Sequence, residues 1–122
     1  MKLFLSLFLV SMVSIISFSC RKDKAPNSMI LPLDCKDTIS YMTQIEPIIQ
    51  QNCATSGCHN VETSTAGYDF STYASVSNNS EIILKAMKHD PQVEAMPFGS
   101  AKLDDALIQQ FECWVNQGKL NN

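Results

Sequence analysis

The chain has 122 residues, of which 45% are hydrophobic and 17% charged, and its formal net charge is −3 at pH 7. This length corresponds to about one domain with one small hydrophobic core. The acidic balance and the scattered aromatic residues argue against a nucleic-acid-binding surface, which requires clustered basic residues.

The first nineteen residues have the pattern of an export signal. Lys2 precedes a run from Leu3 to Phe18 that is apolar or serine throughout, and this run is shorter than the ~20 residues of a spanning helix. The segment Ser17-Phe18-Ser19-Cys20 resembles the lipobox of bacterial lipoproteins, in which the cysteine becomes the acylated first residue. We therefore expect an exported lipoprotein anchored by Cys20, facing the periplasm or attached to the outer membrane. The alternative is ordinary secretory cleavage with a free Cys20.

A tether is expected to follow the lipidated cysteine. Residues 25–32 include two prolines, an asparagine and a serine, a composition typical of linkers. The sequence therefore divides into a signal peptide over residues 1–19, a lipidated tether over residues 20–37 and a folded domain over residues 38–122.

The folded domain begins with a predicted helix. Its side chains at helical spacing are Tyr41, Ile45, Ile48, Ile49 and Asn52. Pro47 either interrupts this helix, or the helix begins at Glu46 and Pro47 occupies its start. In both cases the helix leads directly to Cys53.

The segment Cys53-Ala54-Thr55-Ser56-Gly57-Cys58-His59 carries the main chemical signal. Two cysteines followed at once by a histidine are typical of covalent haem attachment, for which the usual spacing is C-x-x-C-H. Each thiol can form a thioether with a haem vinyl group, and the adjacent imidazole can ligate the iron. Four residues separate these cysteines instead of two, and Gly57 tolerates the positive φ that a wider loop needs. A Cys53–Cys58 disulfide or part of a zinc site are the alternatives.

Helical patterns continue after the motif. A short helix is predicted within residues 70–76, and a second from Glu81 to Lys88, with Ser80 as its N-cap and Ile83 and Met87 facing inward. The last helix is capped at its start by Asp104 or Asp105 and is stopped by Gly118. Its apolar stripe consists of Leu107, Ile108, Phe111, Trp114 and Val115. No alternating pattern indicates a strand, so the predicted fold class is all-α.

A haem iron bound by His59 would have a second axial position. Met87, His89 and Met96 are the candidates. Met87 lies on an apolar helix face, where methionine is usually core filler, and His89 precedes Asp90-Pro91 in a predicted exposed turn. Met96 is followed by Pro97 in an irregular loop that can approach the iron, so Met96 is the preferred ligand.

Cys35 and Cys113 are the remaining cysteines. In an exported protein, two unassigned cysteines favour a disulfide between them. The alternative is a pair of separate buried thiols. The bond would connect the start of the domain to its last helix.

Together these segments resemble a small class I c-type cytochrome, close to the cytochrome c-like domains of bacterial lipoproteins. The resemblance covers roughly residues 41–118. The segments that carry it, in order, are residues 45–49, Cys58-His59, residues 66–73, Met96-Pro97-Phe98-Gly99 and residues 114–118. It implies a fold in which the C-terminal helix, with its Trp, packs on the first helix.

This resemblance also implies a function. One covalent haem c would be attached to Cys53 and Cys58, with His59 and Met96 as axial ligands to the iron. With both axial positions filled, the domain would transfer electrons to redox partner proteins and would not be an enzyme. The candidate walls of the haem pocket are Tyr68, Phe70, Phe98, Phe111 and Trp114.

Two other functions use the same residues. In the first, a non-redox lipoprotein domain holds a structural zinc through Cys53, Cys58, His59 and either His89 or Cys113. In the second, Met96 does not bind, and a five-coordinate haem takes up small ligands or peroxide.

Overall fold

The structure, a computed structural model, describes residues 35–122. The expected signal peptide, the Cys20 lipidation site and the tether up to residue 34 lie outside the described residues. Residues 35–122 form helices and irregular segments without a strand, which agrees with the predicted all-α class. Within this range, every helix is too short or too polar to cross a membrane.

The first helical segment combines two helix types. Tyr41–Ile45 is a π-helical turn, and helix α1 continues from it over Glu46–Asn52. The Ser40 hydroxyl caps the start by accepting a hydrogen bond from the Thr43 amide. Pro47 lies in the first turn of α1, where its missing N–H costs little. The start of the α-helix at Glu46 is thus confirmed, although helical structure already begins at Tyr41.

Two short helices follow the motif loop. Helix α2 spans Tyr73–Asn78 and helix α3 spans Ser80–Lys88. The α2 helix begins later than predicted because the Thr72 hydroxyl accepts a hydrogen bond from the Ser75 amide and so acts as the cap.

The predicted N-cap of α3 is wrong by one residue. Ser80 is the first residue of this helix and is buried, whereas Asn79 occupies the cap position. The Asn79 side chain donates to the Ser75 carbonyl at 2.8 Å and so closes the end of α2. Because α2 ends at Asn78, Asn79 is the one residue between the two helices, and Ser80 already lies within α3. Ile83 and Met87 face inward as predicted, each less than 5% exposed.

Helix α4, Asp105–Asn116, supplies much of the core. Its Ile108, Phe111 and Trp114 are buried, and the ring of Trp114 packs against Tyr41 at a centroid distance of 5.5 Å. The indole N–H of Trp114 donates to the Leu120 carbonyl at 2.9 Å, so the buried ring leaves no unpaired donor. The last helix therefore packs on the first through aromatic side chains.

The start of the described chain is fastened to α4. Cys35 and Cys113 form a disulfide with a Cα–Cα distance of 5.3 Å, and Cys113 is completely buried. The side-chain N–H group of Gln117 donates to the backbone carbonyls of Cys35 and Asp37. Its side-chain oxygen accepts a hydrogen bond from the Ile39 backbone amide. Residues 35–37, which the sequence places in the tether, are thus held against the last helix.

Replacing Cys35 with alanine should lower the free energy of unfolding by about 2–4 kcal/mol, because the disulfide closes a long loop in the unfolded chain. Urea unfolding of the oxidised protein, produced without haem, measures this change. Cys58→Ala is the matched control, since Cys58 is an exposed free cysteine. Equal stability of the Cys35→Ala variant and the parent protein would contradict the prediction.

Candidate functional site

A tight turn accommodates the wide spacing of the two motif cysteines. The Cys58 amide donates to the Thr55 carbonyl at 3.0 Å, and Gly57 occupies the third position of this turn with φ +81°. Positive φ at this position is typical of glycine. The His59 amide then donates to the Cys53 carbonyl at 3.1 Å. The turn thus brings the backbone of His59 back to the end of α1, which explains how four intervening residues can fit.

The His59 imidazole is buried, with 8% of the residue exposed. Its Nδ1 lies 3.3 Å from the Tyr68 carbonyl oxygen. A carbonyl can only accept, so Nδ1 carries the proton, and Nε2 of the neutral ring keeps its lone pair. A metal-binding histidine is commonly oriented by such a bond from its other ring nitrogen. The tautomer of His59 is therefore the one that ligates a metal through Nε2.

Two hydrogen bonds attach the following loop to the motif. The Thr65 amide donates to the Cys58 carbonyl at 3.1 Å, and the Phe70 amide donates to the His59 carbonyl at 2.8 Å. Between them, Ala66 has φ +55°, a backbone conformation that is unusual for a residue other than glycine. The Tyr68 carbonyl that accepts from His59 is thus positioned by backbone bonds on both sides.

The motif thiols are unbonded but differ in environment. Cys58 is exposed and Cys53 is half-buried. Burial, and secondarily the nearby Cys58, raise the pKa of the Cys53 thiol from its ordinary value of 9.0 to about 11. Because the folded protein holds this proton to higher pH than the unfolded chain, the free energy of unfolding falls as pH rises from 9 to 11. The alternative of a Cys53–Cys58 disulfide is not the arrangement in this structure.

Met96 and His89 occur together at the end of α3. His89 Nε2 lies 3.1 Å from the Met96 carbonyl oxygen, and the Met96 amide donates to the Ala86 carbonyl at 3.1 Å. His89 is half-buried, so the expectation of an exposed turn at this residue is wrong. The helix ends at Lys88 as predicted, and the ring of His89 contacts the Met96 carbonyl in the next loop.

The five candidate wall residues separate into three groups. Phe70 and Tyr68 lie beside His59, at ring-centroid distances of 4.9 Å and 6.2 Å. Phe111 and Trp114 are fully buried and pack on each other in the core. Phe98 is 74% exposed, so its expected place as a buried wall is not observed. It follows Met96-Pro97 in a loop that no element within residues 35–122 covers.

The donor groups do not form a conventional metal cage. Across residues 35–122, no three His, Cys, Asp or Glu side chains converge on one point. The use of Cys113 as a fourth zinc ligand is also wrong, because its sulfur is bonded to Cys35. Of the two fourth ligands considered for zinc, His89 is therefore the one that remains. Thioether attachment does not need such convergence, since each thiol binds a different edge of a porphyrin.

A surface groove of about 450 Å³ lies away from the motif. It is lined by Lys88 from α3, by Lys102 and by four residues of α4. Ion pairs cross it from Lys88 to Glu112 and from Lys102 to Asp105. It contains none of the residues that the sequence assigns to the site.

Sequence reasoning missed two partners in this region. The Tyr68 carbonyl orients His59, and the His89 ring contacts the backbone of Met96. Every residue has a backbone carbonyl, so residue type does not show which carbonyl contacts His59. The short sequence distance between Tyr68 and the motif is the one sequence feature that indicates this contact. His89 and Met96 are close in sequence, but from the sequence alone they are only alternative ligands for the second axial position.

Comparison of this chain with protein-family models, with curated proteins and with solved structures found no match.

In the haem-free protein at pH 8, iodoacetamide should modify Cys58 at least about tenfold faster than Cys53, because the thiolate is the reacting form. Raising the pH from 8 to 10 should increase the Cys53 rate about a hundredfold, following its thiolate fraction below a pKa of about 11. Peptide mass spectrometry after timed quenching measures both rates. Similar rates at pH 8 would contradict the burial of Cys53.

Proposed function

We propose that this chain is a membrane-tethered mono-haem c-type cytochrome that transfers electrons. The observation that carries the proposal is the His59 ring, whose Nδ1 is bonded to the Tyr68 carbonyl while Nε2 keeps its lone pair. This ring directly follows Cys58, one of two unbonded thiols. Imidazole and thiol groups in this order are the donors that covalent haem requires.

The residues present fit a covalently bound haem. Cys53 and Cys58 would supply the thioethers, and His59 would be the proximal ligand. The turn at residues 55–58 supports this assignment, because it closes the wide cysteine spacing without separating His59 from α1. Bound haem would supply a one-electron couple between ferric and ferrous iron.

The chain's own residues then set the properties of the carrier. His59 is held in one tautomer by Tyr68 and is shielded by Phe70, so its ring has little freedom to reorient. Met96 is proposed as the distal ligand, and a thioether in this position raises the reduction potential. With both axial positions taken by protein groups, no site remains for a substrate, which favours electron transfer over catalysis.

The location follows from the sequence. Acylation of Cys20 would attach the domain to a membrane on the exported side, facing the periplasm or at the outer membrane. Redox partner proteins would then meet the domain at that surface.

When the full chain is expressed in a host that matures c-type cytochromes, its haem colour should survive denaturing electrophoresis. Cys58→Ala and His59→Ala should each reduce the covalently retained haem at least about tenfold, since one removes a thioether and the other the adjacent ligand. Haem staining against total protein measures the change. Cys35→Ala, which removes a cysteine outside the motif, should retain the colour. A colourless parent protein containing zinc would establish the alternative function.

Met96→Ala should keep the covalent haem but lose the ferric absorption band of sulfur ligation, and its reduction potential should fall. The ferrous variant should bind carbon monoxide, whereas the ferrous parent should not. Absorption spectroscopy and potentiometric titration measure these changes. If the ferrous parent binds carbon monoxide as readily as the variant, the haem is five-coordinate and the domain binds ligands instead.

A further inference from the structure

The end of α3 is closed by a Schellman motif that has a histidine in its central position. The His89 amide donates to the Ala86 carbonyl at 3.1 Å, and the Asp90 amide donates to the Lys85 carbonyl at 3.0 Å. His89 itself has φ +57° and ψ +43°, the left-handed conformation. Glycine is the usual residue at this position, since it has no Cβ to strain. A histidine here is therefore unfavourable for the backbone and suggests a separate role for the side chain.

The His89 side chain reaches the loop that follows. Its Nε2 lies 3.1 Å from the Met96 carbonyl oxygen, which can only accept, so Nε2 carries the proton and donates. That nitrogen is therefore not free to ligate iron in this conformation. This contact uses the ring of His89 to hold the loop backbone.

Met96 is fixed to α3 by both of its backbone polar groups. Its carbonyl accepts from the His89 ring, and its amide donates to the Ala86 carbonyl, which also accepts from the His89 amide. Between them, the Val93 amide donates to the Asp90 carbonyl at 3.1 Å and closes the intervening turn. The loop from residue 90 to 96 thus returns to the helix end where it began.

We propose that His89 is a positioning residue for Met96: its ring holds the backbone of the distal-ligand loop on the end of α3. This inference rests on the proposed function, in which Met96 is the distal ligand. In this arrangement Nε2 of His89 is engaged by the Met96 carbonyl and would not bind the iron. It limits how far the Met96 backbone can move away and so favours the bond between the Met96 sulfur and the iron.

Three substitutions at His89 separate the ring from the backbone. His89→Gly removes the ring and relieves the left-handed conformation, so the helix end should be at least as stable as in the parent. His89→Ala removes the ring and keeps the strain. His89→Gln keeps an N–H donor on a long side chain. Gln92→Ala, an exposed residue of the same loop, is the matched control.

The measurement is a titration of the ferric haem protein with imidazole, which competes with Met96 for the iron. His89→Gly should bind imidazole about three- to tenfold more tightly than the parent, the factor that corresponds to one lost hydrogen bond. Its urea midpoint should be equal to or higher than that of the parent. His89→Gln should bind imidazole within about twofold of the parent, a change smaller than that of one hydrogen bond. A second readout is deuterium uptake by the peptide containing Met96, which should be faster in His89→Gly.

The outcomes distinguish this inference from the proposed function. If Met96→Ala strengthens imidazole binding but His89→Gly does not, Met96 is the ligand and only the positioning role of His89 is overturned. Unchanged deuterium uptake at Met96 in His89→Gly overturns it as well. If Met96→Ala has no effect on imidazole binding, or the protein retains no haem, the distal-ligand assignment is wrong and the inference is overturned with it.

Discussion

The hydrogen bond from the His59 amide to the Cys53 carbonyl is the constraint on which the candidate site depends. It closes the segment between the two cysteines, so that the second thiol and the imidazole return to the end of α1. Without it, four intervening residues would leave His59 at an undefined distance from Cys53. With it, the Tyr68 carbonyl can reach Nδ1 and fix the tautomer. Backbone geometry thus absorbs the additional residues of the wide spacing, which the proposed haem attachment requires.

Helix α4 supports this arrangement from the other side of the core. Trp114 packs on Tyr41, which begins the helical segment that ends at Cys53. The disulfide to Cys35 and the hydrogen bonds of Gln117 attach the start of the described residues to the same helix. The first and last parts of the domain are thus joined by ring packing, a covalent bond and the side-chain hydrogen bonds of Gln117. The motif loop and the Met96 loop are irregular segments that lie between these helices.

Differences between prediction and structure arise where neighbouring elements compete for the same residue. Ser80 has the residue type of an N-cap, but the adjacent α2 extends to Asn78 and leaves Asn79 in that position. His89 has the sequence context of an exposed turn, but its ring contacts the Met96 carbonyl in the loop that returns to the end of α3. Phe98 has the hydrophobicity of a wall residue, yet 74% of it is exposed. For Ser80 and His89 the neighbouring chain decided the outcome, whereas Phe98 lies on the surface of the described residues.

The sequence by itself determined the features that depend on residue type and local period. These are the helical class, the apolar stripe of α4 and the tolerance of Gly57 for positive φ, whereas the start of α1 at Glu46 was one of two alternatives that the sequence left open. Only the tertiary structure decided which backbone carbonyl orients His59, and that the His89 ring contacts the Met96 backbone. The reason is physical: side-chain pattern encodes burial and local conformation, whereas every residue offers the same carbonyl group, so its partner is fixed only when the chain folds back.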